Sequence, residues 1–511
     1  MSVIDKLHEI KRLSGHAQTK GLTDEMLVSF LETDPKLTGA INSAYLVFQQ
    51  YFSNETLKPL LMKAEHELIN ALQSGLINFY DEDSINPYVP LAASGPWVIT
   101  SHGAVLHDSG GYGMLALGQN PSALISQLDN NQTIANVMTA SFSQKKMVDA
   151  LTLEIGCSRK DKGNPYEFLF LNSGSEGLTL ACRLSDLNAH NQTKKGAKHS
   201  GKTCRFISLK GSFHGRTDRP AQVSDSCQAI YKSSLHSFQS RNNLMTVMPN
   251  NIDELVQAFK SADEEGVFIE SMFMEPVMGE GDPGLNINAE FYAKARELTK
   301  KHGSLLIVDS VQAGFRTTGY LSLIDYPGFR EFASPDIEVF SKAINGGQYP
   351  LSVIGLNQKV KSFFKIGLYG NTMSANPRAL DVSVAVLNAM TDNVRENIQN
   401  KGIEMLEKFS LLQQRFPDII TKVQGTGLLC SLSINPKKAD VIGRYGLERQ
   451  LRENGIGVIH GGKNALRFTP HFSLTSQEVD LIVTELTRVM EPLMPHASHY
   501  QTAHQIQEEK A

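Results

Sequence analysis

Two apolar runs about thirty residues apart constrain this chain more than anything else in it. The first, Leu305 to Val308, has the length and composition of a strand buried in a parallel sheet, and it delivers a carboxylate, Asp309, at its C-terminal end. The second, Ile337 to Phe340, ends in Ser341-Lys342 and is followed by Gly346-Gly347, which permit close backbone approach. Open α/β sheets bind ligands beyond the carboxyl ends of such strands. One acid and one amine therefore stand at two neighbouring strand ends.

Pyridoxal phosphate chemistry needs that pair. The lysine amine forms a Schiff base with the cofactor aldehyde, and the carboxylate keeps the pyridine nitrogen protonated so that the ring accepts electrons. Either residue alone also reads as a surface lysine or a helix-capping aspartate, so the neighbouring stretches decide.

The totals set outer bounds. At 511 residues the chain exceeds one hydrophobic core, and two or three domains are expected. Hydrophobic and charged fractions of 41% and 20% suit an ordinary soluble globular protein. A net charge of −4 gives no reason to expect nucleic acid or an anionic membrane as partner, so a small anionic substrate needs local positive groups. Cys157, Cys182, Cys204, Cys227 and Cys430 are scattered, odd in number and without CxxC spacing, which suits reduced thiols in the cytoplasm. No apolar run approaches the roughly 20 residues that span a bilayer, and the amino terminus lacks a signal-peptide apolar region. The sequons at Asn54, Asn131 and Asn191 are then accidents of composition.

Along the chain, residues 1–93 read as a helical N-terminal extension. Leu57, Leu61, Ala64, Leu68 and Leu72 recur at helical spacing, with Lys58, Lys63, Glu65 and Glu67 as the solvated face. Packing against the main body or a second subunit suits it better than a membrane. After Gly95-Pro96-Trp97, alternating apolar residues around Ser101-His102-Gly103 indicate a hairpin, followed by a Gly-rich segment with Tyr112. That segment is either a tight corner or a place where substrate lies against the backbone.

Phe168 to Leu171 reads as a strand, Ser173-Gly174-Ser175 as a turn, and the residues after Glu176 as a helix burying Leu178, Ala181 and Cys182. A strand, a small-residue turn and a helix start make an anion site, because free N–H groups and the helix dipole converge there. A capped helix holding nothing has the same sequence. After the strand-like Cys204 to Leu209, Phe213 and His214 fall on a Gly-flanked turn, where an aromatic covers a flat heterocycle or packs in the core. MFMEPV reads as a further strand, leading to Gly279-Glu280-Gly281, and a helix from about Ala289 to Lys301 returns to the Leu305 strand. This alternation from about 165 to 355 implies βαβ units and a mostly parallel sheet.

Beyond a polar turn at Asn371-Thr372, a helix starts near Pro377. The C-terminal third reads as a smaller α+β unit: KVQGTGLLCSLSI as strands, GIGVIHGGKNALRFTP as a hairpin-like pair, then a helix. That helix opens with the capping box Thr475 to Glu478 and buries Val479, Ile482, Val483, Leu486 and Met490. The tail from Pro495, with His496, His499 and His504, reads as frayed, and no metal-ligand cluster or internal repeat is evident. The divisions are thus 1–93, an N-terminal part of the small domain and linker at 94–135, a large domain at 136–380, a C-terminal small domain at 381–494 and the tail at 495–511.

The ordered set NSGSE, GSFHGRT, MEPVMGEG, LLIVDSVQAGF, FSKAINGG, NT-x-SANP and LRFTP resembles the class III aminotransferases of pyridoxal phosphate fold type I, over roughly residues 95–490. The resemblance implies an α/β fold: a large domain with a mostly parallel mixed sheet flanked by helices, plus a smaller α+β domain. It implies pyridoxal 5′-phosphate as cofactor, with Lys342 as Schiff-base lysine and proton shuttle, Asp309 at the pyridine nitrogen and Gln312 at the phenolic oxygen. Phe213 would stack on the ring beside His214, and Ser173, Gly174 and Ser175 would hold the phosphate. Thr372 matches the threonine that reaches the other subunit's phosphate, which implies a homodimer with shared active sites. Arg467 matches the arginine that grips the α-carboxylate, and Glu280 the glutamate that pairs with that arginine in ω-aminotransferases. Arg216 matches an arginine that binds a distal carboxylate in the 4-aminobutyrate enzymes and is structural elsewhere, while Tyr112 lies near the substrate.

The chain departs from the pattern at Ser310, where the family has Glu in Asp-Glu-Val-Gln, and at Ser175, where it has Thr. The phrases VQGTGLLCS and GGKNALRF lean toward the branch of 4-aminobutyrate and lysine ε-aminotransferases. The implied activity is amino transfer from an ω-amino acid or amine to a 2-oxo acid such as 2-oxoglutarate, with ping-pong kinetics. Decarboxylase, aminomutase or racemase chemistry in the same family is the alternative, and a non-catalytic scaffold a remote one.

Overall fold

The computed structural model describes residues 1–160 and 163–494, so the tail from Pro495 with its three histidines lies outside the described residues. A first sheet is a meander of β1 (Pro90–Ser94), β2 (Trp97–Thr100) and β3 (Val105–Asp108). The expected hairpin at residues 101–103 joins β2 to β3. A second turn, at Gly95-Pro96, joins β1 to β2.

The large sheet contains β4 (Glu167–Leu171), β5 (Thr203–Leu209), β6 (Leu244–Val247), β7 (Val267–Met274), β8 (Leu305–Asp309), β9 (Ile337–Phe340) and β10 (Ser352–Leu356). Its order is β4-β10-β9-β8-β7-β5-β6. Only β10 is reversed, antiparallel to both β4 and β9, so the other strands end on one edge. Every residue of β7, β8, β9 and β10 is buried, which explains their mostly apolar sequences, interrupted in β7 by Glu270 and in β9 by Glu338. At about 1.5–3 kcal/mol for each large apolar side chain, these four strands dominate the stability of the sheet. Connecting helices such as Ala289–His302, closed by Gly303 at φ 92°, cover the faces.

The C-terminal unit contains β11 (Ile420–Thr426), β12 (Leu429–Ile434), β13 (Ile456–Gly457), β14 (Ile459–Gly461) and β15 (Ala465–Phe468). The order β11-β12-β15-β14 forms one antiparallel sheet, while β13 crosses to pair with β3 of the meander. The capping box on the helix Ser476–Met490 is present, with Val479, Ile482, Leu486 and Met490 buried and Val483 half-buried. Fully buried Arg316 fastens the units together. It donates to the carbonyls of Gly113, Leu115 and Pro470 at 3.2, 3.3 and 2.6 Å.

The N-terminal helices Val3–Leu13, Asp24–Leu31 and Pro35–Phe52 pack on the meander: Leu7, Phe30, Leu37 and Ile41 share a core with Trp97, Ile99 and Val105. Trp97 Nε1 donates to Asp34 Oδ2 at 2.7 Å, and Lys20 and Gly21 donate to the Glu453 carbonyl. Backbone of the C-terminal unit is thus bound to the extension.

Three expectations are corrected. The repeat from Leu57 to Leu72 is two short helices, Lys58–Leu61 and Glu65–Gln73, and Leu72 is exposed. Glu65, read as part of a solvated face, is fully buried because its Oε2 accepts from Gln18 N at 2.9 Å and Thr19 N at 2.7 Å. The strand read as MFMEPV starts earlier and ends at Met274, before Pro276, which has no N–H for a ladder.

Candidate active site

The strand ends gather most of the expected residues at one cavity of about 350 Å³. Asp309 closes β8, and Lys342 follows β9 after Ser341, with φ +52° in the left-handed region that favours glycine. Gly346 and Gly347 also have positive φ, which lets the following turn pass close to Leu124 and Met114. Lys342 Nζ donates to Gln312 Oε1, so the two expected partners at the cavity touch each other. His214 Nδ1 lies 2.9 Å from Asp309 Oδ2, and Val311 N donates to Asp309 Oδ1 at 3.1 Å.

The helix after β4 begins at Gly174, two residues earlier than its apolar period suggests, and Ser173 is its N-cap, accepting from Glu176 N. The N–H groups of its first turn have no partner within the helix, as at any helix start. Gly215, at φ +104°, lets the 213–216 loop touch that turn, since a Cβ there would lie 2.6 Å from Ser175 Oγ. Glu176 accepts from Tyr369 OH at 2.7 Å and from Asn371 Nδ2, tying the 369–371 segment to the helix start. Burial opposes its charge, but these hydrogen bonds and those from Asn172 win, and Glu176 is held below the usual carboxylate range.

Electrostatics at the cavity floor follow burial. Burial pushes the Lys342 ammonium down to about 8, and the Arg467 charge adds to this, while Glu280, Asp309 and Glu275 partly offset it. Burial likewise pushes the Glu275 carboxyl up to about 7. Arg467, on β15, is lowered by burial and donates to the Gly279 carbonyl.

Glu280 does not meet Arg467 as expected. Its ion pair is with Arg216 at 3.8 Å, and the Arg216 guanidinium lies 5.4 Å from the Phe213 ring centre. Arg216 does not line the first cavity, and Tyr112 lines an adjoining one, which shares only Met114 and Gly347 with it. Thr372 is exposed and outside the first cavity, and its carbonyl accepts from Asn136 Nδ2 at 3.1 Å.

Glu275, Val311 and Asn172 line the cavity but were missed in the sequence. Glu275 had a signal, since it follows an apolar run as Asp309 does. It accepts from Phe213 N at 3.0 Å and Gly279 N at 2.8 Å and so joins two loops. A cluster invisible in sequence is His107, His471 and Glu478, whose ligand-type atoms lie within 4.8 Å. Both imidazole Nε2 atoms are within hydrogen-bond distance of Glu478 Oε1, and its Oε2 caps a helix, so these atoms already have partners.

A lysine and an aspartate at adjacent strand ends, facing a helix start across a parallel sheet, define a pyridoxal-phosphate type of transferase site. A family model described as aminotransferase class III matches residues 80–490, and the chain belongs to that family. It is a pyridoxal phosphate-dependent transaminase of fold type I. Ornithine aminotransferase 2 of Staphylococcus aureus strain Mu50 is 27% identical over 410 residues, covering 79% of this chain and 94% of the relative. Ornithine aminotransferase from Toxoplasma gondii ME49 superposes with a TM-score of 0.70 at 20% identity, covering 86% of this chain and 98% of that one. An S-selective transaminase from Bacillus megaterium gives 0.69 at 18%, covering 84% and 99%.

The residues present fit the cofactor. Gln312 Nε2 and Arg467 Nε are buried beside the cavity without a protein partner, and the helix start offers N–H groups to a phosphate.

Proposed function

We propose that the chain moves an amino group from an ω-amino acid or diamino acid of the ornithine class to a 2-oxo acid such as 2-oxoglutarate. The observation that carries this reading is Arg467 and Glu280 lining one cavity, with a second guanidinium, Arg216, paired to Glu280 at 3.8 Å. Two cations suit a substrate carboxylate in either half-reaction, and an acid beside them discriminates between substrates with and without a carboxylate at that place. The relatives named ornithine aminotransferase support an ω-amine donor, which the 4-aminobutyrate and lysine lean of the sequence also has.

The bound cofactor supplies an aldehyde and an electron-accepting ring. Lys342 would hold it covalently and, as a neutral amine, would move the proton at the substrate carbon. Asp309, oriented by His214 at 2.9 Å, would keep the ring nitrogen positive. Gln312 would donate to the phenolic oxygen, Phe213 and Val311 would pack against the ring, and Gly174 and Ser175 would hold the phosphate at the helix start.

The reading includes a homodimer with Thr372 reaching the partner's phosphate. Thr372 is exposed, and the segment bonded to it carries exposed Ile134, Met138 and Phe142, at 88%, 83% and 89% exposure, an apolar surface suited to a subunit contact. A cytoplasmic setting agrees with five free cysteines, and no described helix is long and apolar enough to cross a membrane.

The test follows the visible band of the loaded protein. Ornithine and other ω-amines should bleach it and 2-oxoglutarate should restore it. Failure of every 2-oxo acid to restore the band defeats the reading, and a labelled amino acid distinguishes amino transfer from decarboxylation or racemisation by its product.

A further inference from the structure

Glu338 stands in the middle of β9 between Ile337 and Val339, where a strand buried on both faces ordinarily carries an apolar side chain. Its carboxyl is fully buried and takes four neutral donors. Oε1 accepts from Ser310 Oγ at 2.6 Å and Leu323 N at 2.9 Å, and Oε2 from Ser322 Oγ at 2.6 Å and Tyr166 OH at 3.1 Å. Two oxygens with four donors leave no acceptor position idle. Such a group is costly to bury without partners, so its partners identify its task.

Those partners lead to the cavity. Ser310 follows Asp309 directly and precedes Val311 and Gln312, while Glu338 precedes Lys342 by one strand end. The ladder pairs Asp309 with Val339, and Ser310 N donates to the Val339 carbonyl at 2.9 Å. The side-chain bond from Ser310 to Glu338 is thus a second clamp beside that backbone bond. Ser310 also occupies the position where the family has Glu, so the acid missing from this loop stands one strand away.

We propose that Glu338 is a positioning residue for the reaction: through Ser310 it holds the Asp309–Gln312 segment in register with the strand that carries Lys342. The inference rests on the roles given to Asp309, Gln312 and Lys342 above. With the clamp removed, Asp309 and Gln312 lose their fixed distance to Lys342 and to the ring they contact, while substrate groups at Arg467 and Arg216 are untouched.

The experiment compares wild type, Glu338→Gln, Ser310→Ala and the exchange Ser310→Glu/Glu338→Ala, all loaded with pyridoxal phosphate. Three quantities are read: the pH midpoint of the visible band, kcat against KM, and Tm. Glu338→Gln should move the midpoint by about half a unit or more and lower kcat about tenfold with KM within about twofold, the worth of one hydrogen bond. Ser310→Ala should move the midpoint in the same direction by less, and the exchange should recover part of both losses. A Glu338→Gln protein with wild-type midpoint and kcat and only a lower Tm overturns the proposal. If that variant does not fold, an unchanged midpoint in Ser310→Ala overturns it. A wild type with no visible band would instead defeat the reading of the site itself.

Discussion

His214 and Asp309 form a buried pair, with His214 Nδ1 2.9 Å from Asp309 Oδ2. The imidazole fixes which way the carboxylate faces, and the second oxygen is fixed by Val311 N. A hydrogen bond to a charged group contributes about 1.5–3 kcal/mol, or roughly 10- to 100-fold in an equilibrium. His214→Ala should therefore weaken pyridoxal phosphate binding by that factor, measured by titrating cofactor into stripped protein. An unchanged Kd would remove His214 from the site.

Lys342→Ala should abolish the adduct that borohydride fixes to the wild type and lower kcat by at least about 10²- to 10⁴-fold, the usual contribution of a positioned proton-transfer group. Mass spectrometry reads the first outcome and steady-state kinetics the second.

The same lysine gives a pH signature in cofactor-free protein. Its folded value is about 8 against an ordinary 10.5, so between those limits the unfolded chain binds the extra proton. Stability should rise with pH across that window from this group, and the penalty for burying its charge is fully present below about 8. Lys342→Ala should lose the rise, and urea titrations at pH 8 and 10 compare the two. Identical slopes would mean that the amine is solvated.

Much of this was legible in the sequence because the carrying elements are local. β8 ends in Asp309 and β9 is followed at once by Ser341-Lys342, so strand ends and chemistry could be read together. The capping box at Thr475 is equally local. Partners set by strand register were not legible: Ser310 and Glu338 are 28 residues apart and meet only because Asp309 pairs with Val339. Side-chain direction was lost too, since motif order alone cannot say that Glu280 turns to Arg216. Glu65 failed for a related reason, as helical period gives a face but not what lies against it.

That residue supplies a stability test remote from the cavity. Both Gln18 N and Thr19 N donate to Glu65 Oε2, so Glu65→Ala leaves buried donors unpaired, at about 1–3 kcal/mol for each such group. Glu65→Gln keeps one acceptor oxygen and should lose less. Urea denaturation followed by tryptophan fluorescence suits the comparison, because Trp97 is the chain's one tryptophan and packs under the extension. Equal stability of the two variants would show that the extension docks without this contact.

Glu280 and Arg467 should divide the two half-reactions between them. Glu280 is half-exposed beside Arg216, while Arg467 is buried and points its guanidinium at the Gly279 carbonyl, leaving Nε free. An α-carboxylate entering with a 2-oxo acid therefore competes with a weak partner at Arg467 and gains a charge-assisted bond. Arg467→Ala should lower kcat/KM for 2-oxoglutarate by roughly 10- to 100-fold, the worth of one such bond. Glu280→Ala should lower kcat/KM for the ω-amine donor by about tenfold, because two uncompensated cations then face the substrate ammonium. It should leave the 2-oxo acid half-reaction intact or faster. Single-turnover absorbance changes measure each half separately. If both variants slow both halves equally, the two side chains act through the general shape of the cavity, and the division of labour proposed for them is wrong.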